Sequence, residues 1–90
     1  MTAILTTLNH LSYIMECVAL DYLGEGKSAL SGLCQHLESD SPEYAIENRK
    51  LVASQLRTAL ETYRKGDKMT GTSLLVQVNR SLWESQVGVV

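Results

Sequence analysis

Apolar residues recur along the first 23 positions at alternating steps of four and three. Ile4, Leu8, Leu11, Met15, Val18 and Tyr22 fall on one seam, a spacing that puts side chains on a single helix face. The spacing predicts a helix over about 2–23. Its first half is polar off the seam, with Thr6, Thr7, Asn9 and His10. The second half adds Tyr13, Ile14, Cys17, Ala19, Leu20 and Leu23 around nearly the whole circumference. A helix apolar all round is buried on several sides. This half is therefore expected at the centre of the fold or in a subunit interface.

Glycines punctuate the rest of the chain. Gly24, Glu25 and Gly26 are read as the stop of the first helix, because glycine suits the left-handed backbone just past a helix end. A short helix over 28–38 would bury Leu30, Leu33, Cys34 and Leu37, although Gly32 weakens it by about 1 kcal/mol relative to alanine. Ser41, Pro42 and Glu43 form a start signal: a cap, a residue suited to the first turn, and an acid at the positive end of the helix dipole. The helix they open is expected over 42–65, with Ile46, Val52, Ala53, Leu56, Ala59, Leu60 and Tyr63 as its apolar stripe and Gly66 beyond its end. At about 1.5 Å per residue it would be roughly 36 Å long, an antiparallel partner for the first helix.

Gly66 to Gly71 reads as a loop, and Thr72 or Ser73 as the cap of a last helix over 73–86. Leu74–Val78 has a strand-like composition, but a lone strand would lack a pairing partner. Val87–Val90 reads as an apolar tail that frays or docks. The pattern as a whole predicts an all-α bundle of three to four helices forming one domain over 1–90. Its body would be the two long antiparallel helices.

Composition agrees with one small core. The chain has 90 residues, 44% of them hydrophobic, and a net charge of −2, too apolar and too nearly neutral for disorder. Glu16 interrupts the most apolar stretch, so no membrane span is expected, and no basic segment precedes that stretch to make a signal peptide. Two cysteines make no disulfide framework, which points to a reducing cytoplasm. Residues 1–40 carry a net charge of −4 and residues 41–90 a net charge of +2. Such asymmetry serves attraction between two packed halves, or orients a partner or a second copy of the chain.

Candidate chemistry is sparse. Gly26-Lys27-Ser28 matches the end of a phosphate loop, but Asp21 stands where the first glycine is required. His10 and Cys17, seven apart, would lie about 10 Å apart along a helix, too far for one zinc. Cys34 and His36 would point in different directions on a helix. No metal, cofactor or catalytic residue is assigned, and no enzyme activity is expected. For DNA, Gln77, Asn79 and Arg80 would lie early in the last helix, as a recognition helix requires. Lys50, Arg57 and Arg64 add a basic row at every seventh position. The overall acidity argues against nucleic acid, so a DNA-associated transcriptional regulator is the second reading. The first is a small non-enzymatic interaction module, regulatory, adaptor, inhibitory or chaperone-like, acting through an apolar helix face and expected to be a homodimer. Tyr13, Leu20 and Leu51 lie off their seams, and Trp83 and the basic row Lys50, Arg57 and Arg64 complete the candidate partner-binding set.

Overall fold

Thr2 starts the first helix, its hydroxyl accepting the Leu5 N–H at 3.4 Å, as an N-cap does. The computed structural model describes residues 2–87. In order, it contains α1 (Ala3–Ala19), α2 (Leu23–Glu38), a 3-10 turn at Pro42–Tyr44, α3 (Arg49–Arg64) and α4 (Lys68–Val87). The described residues include no strand, so Leu74–Val78 is helical. No described helix is long and apolar enough to cross a membrane. Of the apolar tail, residues 88–90 lie outside the described residues.

The all-α class holds, but several boundaries move. The first helix stops at Ala19, before the glycines, because Asp21 adopts a left-handed backbone with φ 65°. The Asp21 N–H then reaches the Val18 carbonyl at 3.1 Å, and the Tyr22 N–H reaches that of Cys17 at 2.8 Å. This is a Schellman stop built on aspartate instead of glycine. Gly24 and Gly26 are thereby left inside α2. Gly26 is a contact point between helices, since a Cβ there would lie 3.3 Å from Val18 Cγ2 and 3.5 Å from Cys17 Cβ.

The helix expected over 42–65 is split. Pro42 opens only a 3-10 turn, and Asn48, at φ 57°, turns left-handed before α3 begins at Arg49. Burial of a side chain competes with helix continuation here. Tyr44 is buried and packs its ring on His36, with centroids 4.5 Å apart and planes 6° from parallel.

Gly66, with φ 88°, does end α3. The supposed loop after it is the first turn of α4. The Asp67 carboxylate accepts the Thr70 N–H at 3.1 Å, which makes Asp67 the cap instead of Thr72 or Ser73. The Thr70 hydrogen bonds hold the Asp67 carboxyl below the usual carboxylate range.

The helices form a closed ring in which each packs against its neighbours in sequence and α1 packs against α4. Every neighbouring pair is antiparallel. His10 meets His36 while Val18 meets Gly26. Glu38 pairs with Arg57, and Asp40 with Arg49. Tyr63 bonds Thr72. Asp21 at the end of α1 reaches Lys68 at the start of α4. The two helices expected to pair, α1 and α3, are therefore diagonal and run in the same direction. Four helices of similar length bury apolar stripes best in a square, where each stripe meets two neighbours. Leu11, Ile14, Leu30, Leu33, Leu37, Leu56 and Leu75 are fully buried at its centre.

Candidate functional site

The Schellman stop after α1 has a consequence at the surface. It lifts Tyr22 out of the seam and leaves it 57% exposed. Beside it stand Tyr13 and Leu20, also more than half exposed. Together with Glu16, Cys17 and Glu25 these residues line a cleft of about 230 Å³ at the α1–α2 corner. Cys17 is buried. The Tyr13 hydroxyl is pushed up, first by the neighbouring Cys17 thiol and then by the charge of Glu25.

The seven sequence-derived partner residues do not form one site. Tyr13 and Leu20 share the α1–α2 cleft. Leu51, 59% exposed, lines a shallow groove between α3 and α4 with Gln55 and Ser81. Trp83 lies on the outer side of α4 with Val76 and Met69, both exposed and repeating every seven residues. The basic row is dispersed in function. Arg57 donates to both oxygens of Glu38, at 2.9 Å from Nε and 2.7 Å from Nη2, and this contact holds the Glu38 carboxyl below its ordinary range. Arg64 lies 3.7 Å from Glu61 on its own helix. Lys50 is exposed and makes no ion pair among the described residues.

The charge asymmetry is partly satisfied within the chain. Asp21–Lys68, Glu38–Arg57 and Asp40–Arg49 join the acidic first half to the basic second half, and they are three of the four ion pairs among the described residues. Glu16 and Glu25 stand outside this set.

Tyr22 is the residue that the seam spacing misplaces, on the core face. The signal that could have found it is Asp21, since aspartate tolerates a left-handed backbone better than most residues. Ending the helix there frees the next residue from the helical face.

A second cluster is equally invisible in the sequence. His10, His36 and Tyr44 come together from three separate segments. His10 Nδ1 and the Tyr44 hydroxyl share a hydrogen bond of 3.1 Å, and the two imidazoles stand edge to face at 6.2 Å. Burial, and then the charge of His36, pushes His10 down. No group of three or more histidine, cysteine or acidic side chains among the described residues is arranged to hold a metal ion.

Cys34 is buried while His36 is exposed, so they do not meet. Burial pushes the Cys34 thiol up to about 11, which keeps it protonated and weakly nucleophilic at neutral pH. Lys27 and Ser28 sit in the second turn of α2 and line a polar groove with Gln35 and Arg64. Because α4 starts at Lys68, Gln77, Asn79 and Arg80 fall in its middle rather than at its N-terminal end.

The fold and its surface define a small four-helix up-and-down bundle with a cleft at one corner lined by aromatic and acidic residues. No protein-family model, curated protein or solved structure matches the chain.

Proposed function

We propose that the chain is a small non-enzymatic interaction module, regulatory, adaptor or inhibitory in role, which binds another protein at the α1–α2 corner. The observation that carries this reading is the exposure of Tyr13, Leu20 and Tyr22 side by side, on and just past a helix whose other large apolar residues are buried or packed against the core. Rings with a polar tip lose little by being wet and contribute a large apolar area when covered, which is why tyrosine is enriched at interfaces.

The size of the patch bears on the partner. Two half-exposed tyrosines and a leucine offer roughly 300 Å², against about 800 Å² per partner in a stable dimer. The acidic and basic halves that would set the register of a twofold dimer are already joined by Asp21–Lys68, Glu38–Arg57 and Asp40–Arg49. Both points favour a short segment of a different protein over a second copy.

Affinity capture from the native host tests the reading, with the wild-type chain, Leu20→Arg and a control, Gln77→Arg, on the far side of the bundle. Proteins retained by the wild type and the control but lost with Leu20→Arg support it. Equal capture by all three sinks it. Sedimentation equilibrium of the chain alone distinguishes a second copy, which would give twice the monomer mass in the micromolar range.

A further inference from the structure

The α1–α2 cleft has a chemical character beyond its apolarity. Tyr13 and Tyr22 contribute aromatic rings to its lining, and Leu20 contributes an aliphatic side chain. Glu16 and Glu25 line it too, and neither forms an ion pair among the described residues. Of the nearby bases, Lys68 pairs with Asp21 at 3.1 Å, and Lys27 lines a different groove, the one between α2 and α3. The cleft thus sits in the acidic half of the chain with nothing of its own to neutralise it.

Aromatic faces attract a cation through the ring quadrupole when it lies within about 6 Å of the ring centre. Carboxylates at the same opening provide charge-assisted hydrogen bonds. An aliphatic wall suits the methylene stem of a long basic side chain, which packs apolar surface while its head stays polar. The volume of about 230 Å³ falls below the roughly 300–1,000 Å³ of clefts that take drug-sized ligands, and it suits one side chain.

Building on the reading of this corner as a protein-binding site, we propose that the cleft receives one cationic side chain, arginine or lysine, carried on a short basic segment of the partner. Tyr13 and Tyr22 flank the cation, Glu16 and Glu25 neutralise it, and Leu20 packs on its stem.

The test monitors backbone amide resonances of the isotope-labelled chain during titration with N-acetyl-argininamide, N-acetyl-lysinamide and the uncharged N-acetyl-norleucinamide. The expected result is saturable shifts centred on Tyr13, Leu20 and Tyr22 with the two cations and none with the uncharged analogue. In a Glu16→Gln, Glu25→Gln variant, both sites being exposed and tolerant, binding should weaken roughly three- to tenfold. Added salt should weaken it in the wild type. Equal shifts with norleucinamide, shifts centred elsewhere, or no shifts overturn the inference. So does a dependence of the same resonances on chain concentration without ligand, which assigns the cleft to a second copy. Capture that is lost with Leu20→Arg while the cation titration stays flat leaves the interaction reading standing and removes only the cationic ligand. Capture that survives Leu20→Arg overturns the interaction reading itself.

Discussion

Gly71 and Tyr63 share one space: a Cβ built on the glycine would come within 2.9 Å of the Tyr63 ring. The ring cannot easily withdraw. It is 6% exposed, and its hydroxyl shares a 2.9 Å hydrogen bond with that of Thr72. Burial pushes the Tyr63 hydroxyl up, with the Thr72 bond partly opposing, so it remains a neutral phenol at ordinary pH. The contact sits where α3 turns into α4, and it explains why a glycine is found inside a helix.

Gly71→Ala should therefore destabilise the bundle although alanine is the better helix former. Overpacking costs about 1–3 kcal/mol, against a propensity gain of about 1 kcal/mol. Gly32 is the control, because nothing lies within 4 Å of a Cβ there. Gly32→Ala should stabilise by about 0.5–1 kcal/mol. Urea midpoints for the two variants should move in opposite directions, and a shared direction would contradict the packing seen at Gly71.

Acidification should weaken the fold through His10. Its folded value lies below the ordinary 6.5, first because of burial and then because of His36. The unfolded chain therefore binds more protons as pH falls from neutrality, so stability falls with it. The contribution is complete above about pH 6.5 and is lost as pH drops through the folded value. Denaturation midpoints between pH 7.5 and 5.5 should decline for the wild type, and His10→Gln should flatten the decline. Parallel curves for the two would show that His10 is not the responsible group.

Core and surface leucines should separate cleanly. Leu11 and Leu56 are fully buried at the centre of the bundle, and truncation of either to alanine should cost about 2–5 kcal/mol. Val18→Ala removes less volume and should cost less. Leu51 is 59% exposed, and Leu51→Ala should stay within about 0.5 kcal/mol of the wild type. Chemical denaturation of the four variants checks the ranking.

The left-handed Asn48 marks the boundary where α3 begins. Asn48→Val should cost about 1–2 kcal/mol, the penalty for a side-chain branch in that backbone region. Asn48→Gly should be neutral or slightly stabilising. A valine variant as stable as the wild type would mean that the 3-10 turn and α3 can merge into one helix.

The helical class was legible because it depends on periodicity, and periodicity is local. The seam Leu8, Leu11, Val18 and the stripe Val52, Ala53, Leu56, Ala59, Leu60 and Tyr63 are buried as their spacing requires. Gly66 stops α3 for a local reason, its positive φ. The exposure of Tyr13, Leu20 and Leu51 also accords with their positions off those stripes.

Glycine and proline were ambiguous because their local meanings have tertiary rivals. Gly26 and Gly71 look like breaks, yet each sits in a helix where another element presses close. Pro42 looks like the start of a long helix, yet burial of Tyr44 beside His10 and His36 separates it from α3. Charge behaved similarly. The surplus of acid in one half and base in the other was countable along the chain, but its use inside the chain was visible only once Arg57 met Glu38 and Lys68 met Asp21. The candidate cleft stands between the two cases. Its Tyr13 and Leu20 were readable from helix phase, whereas Tyr22 joined them through the left-handed turn at Asp21. Helix phase depends on residues three and four apart. Which faces meet, which glycines are squeezed and which carboxylates stay unpaired depend on distances between residues far apart in the chain, and those distances exist only after the four helices have packed.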